Sequence, residues 1–220
     1  PSQIAQIEET LVLNQVVFED IKLELTDHIA SEIEVVLVEK ECSFEEALKI
    51  VFEKWSPELI PSTSFWTPNN MKLPRIVLNK YKVEYKKQFV TGSIIALVVV
   101  ISGAYLAKMI PNETFFGYLR TAFQAIFIIE FTAISISKYL IWKSKTTTFN
   151  SFFFQKQTGI PLLLFILFLA IGLMPMRFVF PDFKIVIGYN FMIVCYSIWP
   201  IRPLQLALQH FRYMSKLKQV

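Results

Sequence analysis

In the stretch LELTDHIASEIE, Leu23–Glu34, a histidine stands among acids at spacings that could do chemistry. Glu24, His28 and Glu32 recur every four residues, so on a helix they form one ridge with Asp27 beside it. Carboxylates and imidazole at that spacing can ligate a divalent metal. One helix supplies too few ligands, however, and the other histidine, His210, is far along the chain. The favoured reading of Glu24, Asp27, His28 and Glu32 is therefore structural or partner-binding, without a metal. His28 and Glu32 would be boundary residues tying this helix to backbone groups at a neighbouring helix end. Histidine is also the side chain whose charge changes near neutrality, which leaves a pH-sensing role open.

Glu130 is the second candidate, midway along an apolar run. A carboxylate there costs ~2.5–3.5 kcal/mol to insert into a bilayer, so it must face protein. Ala133 and Ser137 share its side and offer a small-residue surface to another helix. Three readings stay open: a proton or cation relay, a lock to Lys184, Tyr189 or Asn190, and a protonated acid bonded between helices. Elsewhere the chain has no G-x-S-x-G, P-loop, H-E-x-x-H or Cys-x-x-Cys pattern. With two histidines far apart, acid–base and metal schemes lack parts, so catalytic residues and cofactors are expected to be none and the protein is not read as an enzyme. Cys42 and Cys195 stand alone and suggest no disulfide framework.

The elements that carry these residues divide by charge. Residues 1–60 hold 14 acids against 4 bases, a net of −10, while the remaining 160 hold 18 bases against 4 acids, a net of +14. An acidic soluble module joined to a basic-flanked membrane module follows. In the module, Phe18, Ile21, Leu25, Ile29, Ile33 and Val36 form one helical stripe from about Val17 to Glu39. A short helix with Ile4, Ile7, Leu11 and Val12 precedes it. A third opens at SFEE, where Ser43 and Glu46 make a capping-box signal, with Ala47, Leu48, Val51, Phe52 and Trp55 on its buried face. Some sixty residues make a marginal core, so the module is expected to lean on the membrane part or on a partner. The N-terminus has no basic region followed by an apolar core and reads as no secretory signal.

After a Pro/Ser/Thr-rich linker the chain turns basic and then apolar. Four spans are expected at about 89–110, 118–142, 159–179 and 183–199, each near the ~20 residues that cross a hydrocarbon core. Twelve bases gather on one side of these spans, among them Lys80, Lys82, Lys86, Lys87, Arg212, Lys216 and Lys218, against four (Lys108, Arg120, Arg177 and Lys184) on the other. The positive-inside rule puts both termini in the cytoplasm, and the bases next to the spans read as contacts to anionic lipid headgroups and not to nucleic acid. Beyond Pro203, Leu204, Ala207, Leu208, Phe211 and Met214 share one face, which fits an amphipathic helix at the interface.

FEDIKLELTDHIASEIE followed by FEEALKIVFEKW resembles the short HAAS-type helical domains at the N-termini of multi-span bacterial membrane proteins, often found beside PadR-type regulators. It is similar also to a group of Bacteroidetes proteins with an Asp-His-hydrophobic helix and about four spans. The resemblance covers roughly residues 15–56 on Asp27, His28, Glu32 and Glu34, and implies a signalling or regulatory role without catalytic residues.

The sequence thus predicts an all-α protein, a small N-terminal helical module plus a four-helix transmembrane bundle. Its parts are residues 1–60 (acidic cytoplasmic module), 61–88 (linker and basic juxtamembrane helix), 89–200 (four transmembrane helices) and 201–220 (basic interfacial tail). The expected function is an inner-membrane regulatory or scaffolding protein, multi-pass in the bacterial cytoplasmic membrane, whose acidic module engages a protein partner. The alternatives are an accessory subunit of a larger membrane complex and, more weakly, a small proton- or ion-coupled transporter using Glu130.

Overall fold

A computed structural model describes residues 2–65, 67, 71–109, 113–170 and 198–217. These are all-α apart from one minimal pair of strands. The elements are α1 (Ser2–Leu13), α2 (Glu19–Lys40), α3 (Phe44–Leu59), β1 (Pro61–Ser62), β2 (Leu73–Pro74), α4 (Arg75–Met109), α5 (Glu113–Lys143), α6 (Phe149–Ala170) and α7 (Ile201–Leu217). They fall into two compact units: Pro1–Tyr85 with Thr146–Phe152, and Lys86–Lys145 with Phe153–Val220.

In the first unit, the chain between α1 and α3 turns without glycine. Gln15 and Glu41 take φ of 65° and 46°, the left-handed geometry that ends helices and that glycine usually supplies. After Gln15, the Val16 N–H donates to the Leu11 carbonyl at 3.0 Å, satisfying one of the last free acceptors of α1. Ile21, Leu25, Ile29 and Ile33 of α2 are buried, as the four-residue stripe requires. Ala47, Val51 and Leu59 of α3 and Ile7 and Leu11 of α1 are buried too. The Ser43 hydroxyl accepts from Glu46 N–H and the Glu46 carboxylate accepts from Ser43 N–H, so α3 starts at the capping box read from the sequence.

Three helices alone make a thin core, and the unit completes it from two other places. The β1–β2 pair sets Pro61 opposite Pro74 and brings the start of α4 beside the end of α3, where Arg75 N–H donates to the Ile60 carbonyl at 3.2 Å. Val77, Leu78 and Tyr81 of α4 are then buried. The segment Thr146–Phe152, between α5 and α6 in sequence, supplies the rest, with Thr148, Phe149 and Ser151 buried. The unit therefore extends beyond residue 60 to Tyr85 and takes in a distant loop.

The second unit is built on aromatic rings. Phe127, Phe131, Ile134 and Ile141 of α5 pack with Phe154 of α6 and Ala207 of α7, and Phe165 and Phe211 close over them. The Phe131 and Phe165 rings stack 4.3 Å apart, and Phe127 meets Phe165 edge-on at 5.3 Å. Gln88 donates its side-chain N–H to the Trp199 carbonyl at 2.8 Å, just before α7 begins.

Arg75–Gly103 and Gln124–Lys143 are long and apolar enough to cross a membrane, and only 22% and 28% of their apolar windows are buried. A core helix of a soluble domain would be mostly buried, whereas here Ile94, Leu97, Val98 and Ile101 on α4 and Ile126, Ile129 and Ile136 on α5 face outward. Apolar surface on that scale calls for a nonaqueous medium or a partner. The expected span at 159–179 is described as far as Ala170, and the one at 183–199 lies outside the described residues except Ile198 and Trp199.

Candidate functional site

The ridge on α2 divides into members used inside the fold and members left outside it. Glu32 accepts from Lys54 Nζ at 2.9 Å and from Trp55 Nε1 at 3.3 Å, both on α3. It does tie α2 to the neighbouring helix, but through side chains and not through backbone groups at a helix end. The Lys54 hydrogen bond holds its carboxyl below the ordinary range against the opposing effect of burial, with smaller contributions from the Trp55 hydrogen bond and the charges of Lys54 and His28. Glu24 pairs with Lys80 of α4 at 3.3 Å. Asp27 and His28 are exposed. Among the described residues His28 bonds to no neighbouring helix end, because position 28 lies off the edge of the buried stripe that Leu25 and Ile29 belong to. Among the described residues no three His, Cys, Asp or Glu side chains converge as a metal site.

What remains is the outer face of α2. At ~100° per residue, Leu23, Asp27, Glu34 and Val38 lie opposite the buried stripe, with Val35 at the flank of that face. Leu23, Val35 and Val38 are 55%, 54% and 81% exposed, large values for apolar side chains on a well-formed helix. Acids with no ion pair among the described residues, Asp27 and Glu34, stand between them. The face offers apolar contact and negative charge together.

A second feature could not be read from the sequence. The N-termini of α2 and α6 meet, and each helix end carries partial positive charge on its free N–H groups. Asp20 lies between them: one carboxylate oxygen accepts from Ile21 N–H at 3.1 Å and from Phe149 N–H at 2.7 Å. In return Glu19 N–H donates to the Thr147 carbonyl at 3.0 Å. Thr148 and Ser151 also cap α6 locally, each side chain accepting from the other's N–H at 3.1 Å. Around this polar seam Phe18 packs on Phe149 edge-on at 6.3 Å and on Phe152 at 5.0 Å. Tyr81 covers Phe152 from α4 at 6.3 Å, and the Lys80 ammonium sits 5.5 Å from the Phe149 ring centre. The T-x-x-S spacing at Thr148 signals a helix start, but nothing local signals Asp20.

The remaining candidates are spread out. Of the bases expected at lipid, Lys80 is engaged by Glu24 and Phe149, Lys82 is half-buried, Lys86, Lys87, Arg212 and Lys216 are exposed, and Lys218 lies outside the described residues. Glu130 is half-buried on α5 with Ala133 and Ser137, also half-buried, on its side. Its suggested partners Lys184, Tyr189 and Asn190 lie outside the described residues. On α7 the buried stripe is Pro203, Leu206, Ala207 and His210, while Leu208 is exposed. Of the face expected from the sequence, Ala207, Leu204 and Phe211 pack on the α5–α6 aromatic cluster, and the buried side extends beyond it to Pro203, Leu206 and His210. No protein-family model matches the chain, and neither does any curated protein or solved structure.

Proposed function

We propose that this is a multi-pass protein of the bacterial cytoplasmic membrane, built as an acidic helical module on a bundle of four spans. Both termini are cytoplasmic in this reading. Its role is regulatory or scaffolding: the module engages a protein partner while the bases beside the spans hold anionic headgroups. The observation that carries it is the outer face of α2, where Leu23, Val35 and Val38 are exposed around Asp27 and Glu34, acids with no ion pair among the described residues. Apolar anchors ringed by charge suit a basic amphipathic segment, since apolar contact supplies affinity and the acids supply orientation and encounter rate. The two apolar helices and the +14 charge beyond residue 60 support the membrane part.

The test is isolation of the full chain from membranes in mild detergent, with identification of what accompanies it. The same is done for a variant carrying Asp27→Lys and Glu34→Lys. A partner retained by the parent and lost by the variant is expected. A partner retained equally by both would remove α2 from the interaction.

A further inference from the structure

The seam between α2 and α6 has the makings of a releasable latch. We propose that Asp20 holds the segment Thr146–Phe152 against the N-terminal module, and that this segment can leave as a unit while the module and α6 stay folded. The inference deepens the regulatory reading and rests on it only for what would drive the release.

Three observations carry it. The docked arrangement sets two helix N-termini against one another, which is unfavourable without an anion between them. One carboxylate supplies that anion for both ends, at 3.1 Å and 2.7 Å. A single group therefore biases the whole contact, as a two-state element requires.

Each side, next, keeps its own supports when parted. The Thr148–Ser151 box caps α6 without help from α2, so that helix keeps its own cap when the Phe149 N–H bond and the buried Phe149 ring leave the module. The module keeps the residues Ile7, Leu11, Ile21, Leu25, Ile29 and Ile33, which are buried on α1 and α2 and belong to no part of the segment.

The seam is also next to the surface proposed for a partner. Leu23 follows Asp20 by three residues on the same helix, less than one turn away. Glu24, one residue further, pairs with the Lys80 that lies over Phe149. A partner drawing on Glu24 would loosen Lys80 from the rim of the seam.

The direct test is a distance measurement on the full chain in lipid nanodiscs, with spin labels at Ser31 and Asn150. The parent is expected to give one narrow distance. In Asp20→Ala a longer population should rise about tenfold, the effect typical of losing a charged helix cap. Asp20→Asn keeps an acceptor oxygen without the charge and should fall between, which also serves if the alanine variant does not fold. Amide exchange over Leu25–Ile33 is measured alongside and should stay within about twofold of the parent, since those residues keep their core. Unchanged distances in both variants would overturn the latch. So would exchange in α2 rising in step with the distance, because Asp20 would then support the module's fold and not a separable contact. Neither failure bears on the partner proposal, since no partner is present.

Discussion

Replacing Glu32 with alanine removes two contacts between α2 and α3 at once, and their worth differs with exposure. The Lys54 side chain is 70% exposed and that of Glu32 32%, so their ion pair is screened and contributes about 0.3 kcal/mol. The Trp55 indole N–H is half-sheltered, and losing its acceptor costs about 1 kcal/mol. Together these make about 1.3 kcal/mol, close to tenfold in a local opening equilibrium. Glu32→Gln keeps an oxygen for Trp55 and gives up only the ion pair, so it should cost about 0.3 kcal/mol, under twofold. The assay is amide hydrogen exchange of α2 and α3 in the full chain, where faster exchange reads opening of that pair of helices. Equal acceleration in the two variants would refute the division, since the charge and not the acceptor would then carry the contact. No acceleration in Glu32→Ala would refute the contact itself.

His28→Gln should change the exchange of α2 by less than about twofold, and added zinc should alter neither protein, because His28 is exposed and no ligand cluster surrounds it among the described residues. A zinc-dependent slowing of exchange that vanishes in His28→Gln would reinstate the metal reading. Acidification acts through Glu32: its carboxyl is held below the ordinary 4.5, so its stabilisation is complete above that value and fades as pH falls through the depressed one. In Glu32→Gln that part of the acid sensitivity of the α2–α3 contact should be missing, as exchange measured across the acid range would reveal.

The helical class, the α2 stripe and the Ser43 cap were legible because each depends on neighbours within about a turn. The same periodicity separates Ile21, Leu25, Ile29 and Ile33 from Leu23, Asp27 and Glu34 without a structure. The outlines of the module were not legible. Its core is completed by Val77, Leu78, Tyr81 and Phe149, and the bond from Phe149 to Asp20 spans 129 residues. That contact follows from the cost of leaving two helix ends uncapped, which a sequence states only once it is known which ends meet. Glu32 illustrates the intermediate case: its position beside the apolar stripe marked it as a link between helices, while the identity of Lys54 and Trp55 depended on how α3 packs. The burial of His210 was similarly out of reach, since the sequence placed it off the apolar face of Leu204, Ala207 and Phe211 that packs on the aromatic cluster.

The orientation of the module is the central claim, because a cytosolic partner and anionic headgroups both depend on it. Glu34→Cys and Thr114→Cys, each in a full chain with Cys42 and Cys195 replaced by serine, can be treated in intact cells with a membrane-impermeant thiol reagent. Position 34 is on the exposed face of α2, and position 114 is exposed at the start of α5. Thr114→Cys is expected to react in intact cells, and Glu34→Cys only after the membrane is opened. Reaction of Glu34→Cys in intact cells would contradict the cytoplasmic module and the function proposed for it.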